Sequence, residues 1–147
     1  MSPPEYEDQL ARQIRAIADM LARIFGFRAN GQAEEAKELL EESYGLLLED
    51  DEELIRQVDS ATAALLLGYP GRILAYARLT GEEAEQEVNP DRRTLLRERA
   101  VELAIEAARR DPNDVQIRKF LDEASSGVDR GRLSPSYRSF LEGRTGA

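Results

Sequence analysis

Carboxylates are the only abundant reactive groups in this chain. Its 147 residues include 29 Asp and Glu, and no histidine, cysteine or tryptophan. Without imidazole there is no side chain that ordinarily titrates near neutrality, no Ser-His-Asp relay and no nitrogen ligand of the usual kind for a metal. Without thiol there is no sulfur nucleophile, disulfide, zinc knuckle or iron–sulfur ligand. Among the glutamates, Glu34, Glu35, Glu38, Glu41 and Glu42 have helical spacing, with Glu34, Glu38 and Glu41 on one face. A hard divalent cation needs oxygens that converge from more than one element. Di-iron helical sites add a Glu-x-x-His that is missing here. The expectation is a solvated face with no metal. Asp111-Pro112-Asn113-Asp114 lacks the glycine and glutamate of a calcium loop and reads as a helix stop and restart. Gly68-Tyr69-Pro70-Gly71-Arg72 has neither a Walker lysine nor dinucleotide spacing and reads as a turn. No catalytic, cofactor-binding or metal-binding residue is expected.

The formal charge of −9 is unevenly placed. Residues 34 to 53 hold ten acids against one base, Lys37, which sums to −9. The rest of the chain carries nineteen residues of each sign and is neutral. Phosphate backbones need a clustered basic face, so nucleic acid is not an expected partner. The acidic run is expected to be a solvated helix face, with docking of a basic partner as the alternative. Eighteen of the twenty basic residues are Arg, whose forked donors suit ion pairs with Glu and Asp. Arg92, Arg93, Arg97 and Arg99 form a local basic cluster that Glu98, Glu102 and the acids before Pro90 can neutralise. The start, Met1-Ser2-Pro3-Pro4-Glu5, does not read as a signal peptide. The longest apolar run, Ala63 to Leu67, is too short to span a membrane. A cytoplasmic chain with no membrane contact is expected.

The elements that position these groups read as helices throughout. A capping box at Ser2 to Glu5 opens a helix whose stripe is Tyr6, Leu10, Ile14, Ile17, Leu21 and Ile24, with Gly26 at or near its end. A turn at Ala29-Asn30-Gly31 leads to a second helix from Gln32 to Leu48, with Ala33, Ala36, Leu39, Leu40, Tyr44 and Leu47 inward. Asp50 reads as the cap of a third helix that runs unbroken to Leu67 and stops at Gly68. Pro70 opens a short fourth helix. Thr80 to Val88 is acidic and weakly patterned, a short helix or a mobile connection. Asn89-Pro90 restarts a fifth helix that reaches Arg110. A sixth carries Val115, Ile117, Phe120, Leu121 and Ala124, and Ser134-Pro135 opens a last one. The prediction is one all-α domain over residues 1–143, built from six to seven helices as antiparallel hairpins, with a disordered tail at 144–147.

Two of these helices carry a pattern known elsewhere. Ala100, Ala104, Ala107 and Pro112 resemble the second helix of a tetratricopeptide repeat, where small residues let two helices approach closely before a terminal proline. Gly31-Gln32-Ala33-Glu34-Glu35-Ala36, with Leu40 and Ser43, looks like the same helix of another unit, and Met20, Ile24 and Phe27 then take the large positions of its first helix. Over about residues 6 to 125, including Asp8-Gln9-Leu10-Ala11-Arg12-Gln13-Ile14, the chain also resembles a family of bacterial helical proteins of unknown function that is similar to tetratricopeptide proteins. The resemblance implies an α–α superhelix and a protein-binding role.

In such a hairpin the first helix lines the concave face. The resemblance then implies Arg15, Phe25 and Arg28 as contact residues, and Tyr69 and Tyr76, which flank the start of the fourth helix, are candidate aromatic anchors for a peptide. The expected function is a non-enzymatic module that binds a peptide or helix of a protein partner, with Arg and Glu selecting its orientation. One alternative is a self-associating structural protein, a homodimer through the first helix. The other is a carboxylate-based enzyme, which would need two buried, converging acids.

Overall fold

The structure, a computed structural model, describes residues 3–145, with side chains from residue 7 to residue 143. The described residues form eight α-helices and no strand. They are α1 (Pro3–Ala29), α2 (Ala33–Leu48), α3 (Glu52–Gln57), α4 (Ser60–Leu67), α5 (Pro70–Gln86), α6 (Pro90–Arg110), α7 (Val115–Ser125) and α8 (Pro135–Thr145). Short 3-10 turns lie at Glu49–Asp51 and Arg130–Arg132. No helix among the described residues is long and apolar enough to cross a membrane. Ser2 of the expected capping box, and residues 146 and 147 of the expected tail, lie outside the described residues; α8 extends through Thr145.

Local chemistry sets most boundaries. Gly31 takes φ +75° in the α1–α2 turn and Gly68 takes φ +81° at the end of α4, a conformation that costs a residue with a Cβ more than it costs glycine. Gly26 sits in the last turn of α1. The side chains of Asp59, Asn89 and Asp114 accept hydrogen bonds from the backbone N–H of Thr62, Arg92 and Ile117, capping α4, α6 and α7. Pro70 and Pro90 occupy first turns, where a missing N–H costs nothing.

Two helical hairpins form the body. α1 packs along α2, α5 packs along α6, and α5 touches both α1 and α2. Ile17, Ile24, Leu40, Tyr44, Leu47, Ile73, Leu79, Leu103 and Ile105 are among the buried core residues. Of the α1 stripe, Ile17 and Ile24 are fully buried against this core, and Leu10, Ile14 and Leu21 are half-buried. Gly71 permits the close crossing of α1 over α5, since a Cβ there would lie 2.7 Å from Ile14 Cδ1. α4 and α7 pack on α6, and α8 lies against its far end.

Three expectations change. The helix predicted from Asp50 to Leu67 is two, because Val58 adopts an extended conformation (φ −82°, ψ 165°) and Asp59 caps a new helix. Asp50 lies within the 3-10 turn and caps nothing. Thr80 to Gln86 takes the helical alternative, as a continuation of α5 and not as a separate short helix, so the helix opened by Pro70 runs to Gln86. Ala33 begins α2 but faces solvent, so the inner face starts at Ala36.

Candidate functional site

The carboxylates that enter the body do so with partners. Glu83 of α5 accepts hydrogen bonds from Tyr44 Oη at 2.7 Å, Arg92 Nη2 at 2.8 Å and Arg56 Nη2 at 3.3 Å. Arg56 also lies over the Tyr44 ring, 4.2 Å from its centroid, and reaches Glu41 and Glu52. Burial and the adjacent Glu83 push the Tyr44 hydroxyl well above the ordinary tyrosine range, so it stays a neutral donor. On α6, Glu98, Glu102 and Glu106 recur every fourth residue and face separate partners. Glu98 takes Arg132 Nε at 2.7 Å, Glu102 takes Ser60 Oγ at 2.7 Å, and Glu106 takes Tyr137 Oη at 2.7 Å together with Arg109 and Arg110. Each carboxylate thus fastens a different segment to α6 in place of converging on a shared pocket. Tyr44 is only 1% exposed. Among the described residues no three acids are grouped as a metal ion would need, and Glu34, Glu38 and Glu41 all face solvent on α2.

A cleft of about 590 Å³ opens between α5, α6 and α7, with Leu21 of α1 at one end. Its floor is apolar: Leu21, Phe120, Ala124 and the small residues Gly81 and Ala100. Gly81 keeps it open, because a Cβ there already meets Phe120 Cζ at 3.7 Å and a longer side chain would fill the space. The rim alternates in sign. Arg97 pairs with Glu85 at 3.6 Å, Arg78 donates to Gln116 at 3.2 Å, and Lys119 and Glu123 stand one turn apart on α7.

The five residues singled out in the sequence do not assemble into one site. Arg28 reaches the cleft edge, where its guanidinium holds Glu82 through two hydrogen bonds of 3.1 and 3.3 Å. Phe25 is 58% exposed beside it, with the guanidinium carbon 5.2 Å from the ring centroid. Arg15 is exposed farther up α1 and does not line the cleft. Tyr69 is half exposed at the start of α5. Tyr76 is a correction: it is only 2% exposed, packs edge-on against Tyr44 with centroids 6.0 Å apart, and accepts a hydrogen bond from Arg99 Nη2 at 3.0 Å. The i+7 step from Tyr69 to Tyr76 brings it back to nearly the same side of a helix, yet Tyr76 lies about two turns deeper into the hairpin, where Tyr44 of α2 and Arg99 of α6 cover it.

Sequence reasoning missed Gly81 and Phe120. Gly81 lies in the stretch read as a short helix or a mobile connection, and Phe120 reads only as one of the apolar residues of the sixth helix. Mid-helix glycine, which costs about 1 kcal/mol against alanine, is the signal that something must pass close by. A comparison with known proteins finds no family model, no curated protein and no solved structure that matches this chain.

Proposed function

We propose that this protein is a non-enzymatic interaction module that receives a peptide or a helix of a protein partner in the α5–α6–α7 cleft. The observation that carries the reading is the cleft itself, an apolar floor of a few side chains ringed by Arg, Lys and Glu in alternation. Apolar burial supplies affinity in such grooves, and rim charges select orientation and register. A volume of about 590 Å³ accommodates one or two bulky apolar side chains with their backbone outside. The tetratricopeptide-like reading is part of the same proposal. Its support is that the two helices bearing the small-residue pattern, α2 and α6, are each the second helix of a packed hairpin.

Selection of displayed random peptides on the wild-type chain, with counter-selection on Gly81→Leu, tests this directly. The substitution fills the cleft from a helical position and removes a helix-weakening glycine, so the variant is expected to fold. Peptides that bind the wild type and not the variant are the expected result. Sequences that bind both equally, or no enrichment at all, would count against the cleft.

A further inference from the structure

The face of α4 that points away from the body is apolar. The helix reads Ser60-Ala-Thr-Ala-Ala-Leu-Leu-Leu67, with no charged residue. Ser60, Ala63, Ala64 and Leu67 are buried, while Ala61, Thr62, Leu65 and Leu66 face solvent, Leu65 at 72% exposure and Leu66 at 46%. A helix that is apolar all round belongs in an interior, and α4 is covered on one side only. Nine large apolar side chains are exposed among the described residues, and five of them (Leu46, Leu54, Leu65, Leu66 and Tyr69) lie between residues 46 and 69. Leu65 and Leu66 are adjacent on one uncharged helix, which sets them apart from the singly scattered apolar exposure normal for any surface.

The neighbourhood of α4 tells which partner suits the patch. Arg72 donates to Leu67 O at 3.3 Å and to Leu47 O at 2.9 Å, so one guanidinium brackets the C-terminal ends of α4 and α2. The chain leaves α2 there into Glu49, Asp50 and Asp51 and then Glu52 and Glu53 at the start of α3. Of these, only Glu52 has a cation within salt-bridge distance among the described residues, Arg56. The exposed leucines therefore stand near a block of five acids of which only Glu52 is paired with a cation. A second copy of this chain is a poor occupant. A two-fold contact over this face gathers two copies of the acidic turn into one interface and adds no cation beyond Arg56 and Arg72, which are already engaged within each copy.

The geometry points to the exposed face of α4, with the acidic turn at 49–53 as its rim, as a docking surface for a basic amphipathic helix: an apolar stripe at i, i+3 or i+4, and i+7, flanked by Lys or Arg. Eight residues of helix span about 12 Å, which matches two turns of such a partner. This surface is separate from the α5–α6–α7 cleft and does not rest on it.

The test uses two labelled synthetic 18-residue helical peptides, one of Leu and Lys in amphipathic order and one with Glu in place of every Lys. Fluorescence anisotropy follows their binding to the full chain at about 50 and 300 mM salt. The Leu/Lys peptide should bind with an affinity that drops several-fold at the higher salt, and the Leu/Glu peptide should not bind. The double variant Leu65→Ser/Leu66→Ser keeps every charge and should weaken binding at least tenfold, with an unchanged circular dichroism spectrum. Neutralising the rim with Asp50→Asn, Asp51→Asn and Glu53→Gln should remove most of the salt dependence and leave the apolar part. Val88→Ser, at an exposed apolar residue outside both surfaces, should leave the affinity unchanged. Binding to the double leucine variant as tight as to the wild type would overturn the assignment. So would equal binding of the Leu/Glu peptide. So would a wild-type dimer in sedimentation that the leucine substitutions dissociate, since then a second copy covers the face.

Discussion

Helix α4 and the α5–α6 hairpin it packs against relate composition to burial in opposite ways. α5 and α6 are rich in charge, yet Glu83, Glu98, Glu102 and Glu106 are drawn inward, each with a donor at 2.7–2.8 Å. α4 carries no charge and leaves two leucines in water. In the hairpin, polar groups specify where the other segments sit: Arg99 alone holds Ile55 O, Val58 O and Tyr76 Oη. In α4, apolar groups exceed what the fold needs. Leucine thus means something different in each: in the hairpin it fills the core, and on α4 part of it faces water.

The largest expected contrast uses the same truncation in both places. Leu79→Ala, at a fully buried site on α5, should cost about 2–5 kcal/mol through lost transfer energy and the cavity left behind. Leu65→Ala should change stability by less than about 0.5 kcal/mol. Urea denaturation measures both, and similar losses would mean that α4 is covered within the folded monomer. Next in size is Arg99→Met, which removes three hydrogen bonds to groups with little access to water and should cost about 1–3 kcal/mol. Arg99→Lys should recover only part of this, because an ammonium does not reproduce the fork that spans three acceptors. Full recovery would make the site a matter of charge alone. A comparable loss, about 1–3 kcal/mol, is expected for Ala104→Leu, which forces added volume into the fully buried face of α6. An unchanged midpoint would show that α6 has room at this face and would remove the close-packing basis of the tetratricopeptide resemblance.

Apolar periodicity carried the reading of the fold where helices bury a stripe, as in α1, α2, α6 and α7, and caps such as Asn89 were visible because a cap is a local device. It was blind in two places for physical reasons. Leu54, Ile55, Val58, Ala61, Ala64 and Leu65 keep helical spacing straight through the break at Val58. Only Asp59, capping Thr62 N–H, distinguishes two helices from one. Residues 80–86 lack a strong stripe because this part of α5 is held by side-chain charge. Glu82, Glu83 and Glu85 meet Arg28, Arg56, Arg92 and Arg97 from other segments. Pairing between distant segments leaves no periodic trace. The candidate surfaces were less legible still. A cleft exists because Gly81 faces Phe120 across two helices, and an apolar helix face is informative only once its burial is known. Tyr76 shows the converse, an aromatic selected for its type that the hairpin encloses.

The smallest expected effect concerns the one half-buried acid of α6 without an ion pair. Glu102 accepts a hydrogen bond from Ser60 Oγ at 2.7 Å. Burial pushes its carboxyl above the usual range, with Glu98 and Asp59 adding to this and Ser60 and Arg99 opposing it. A carboxyl whose folded-state pKa exceeds its unfolded value, about 4.3, binds its proton more tightly in the native chain. Its favourable contribution is complete below the unfolded value and is lost as pH rises through the folded one. At pH 7 the ionised Glu102 is therefore a small burden on the fold. Glu102→Gln keeps an oxygen for Ser60 and carries no charge, so its denaturation midpoint should exceed that of the wild type at pH 7. The difference should shrink as pH falls and vanish by about pH 3, where both side chains are neutral. Asp59 titrates in the opposite sense, held low by its hydrogen bonds to Thr62. It is present in both proteins, and the difference between them reports chiefly on Glu102. A gap that stayed constant from pH 7 to pH 3 would mean that Glu102 acts through shape and not through charge, and the contrast between a charge-specified hairpin and an uncharged α4 would lose one of its supports.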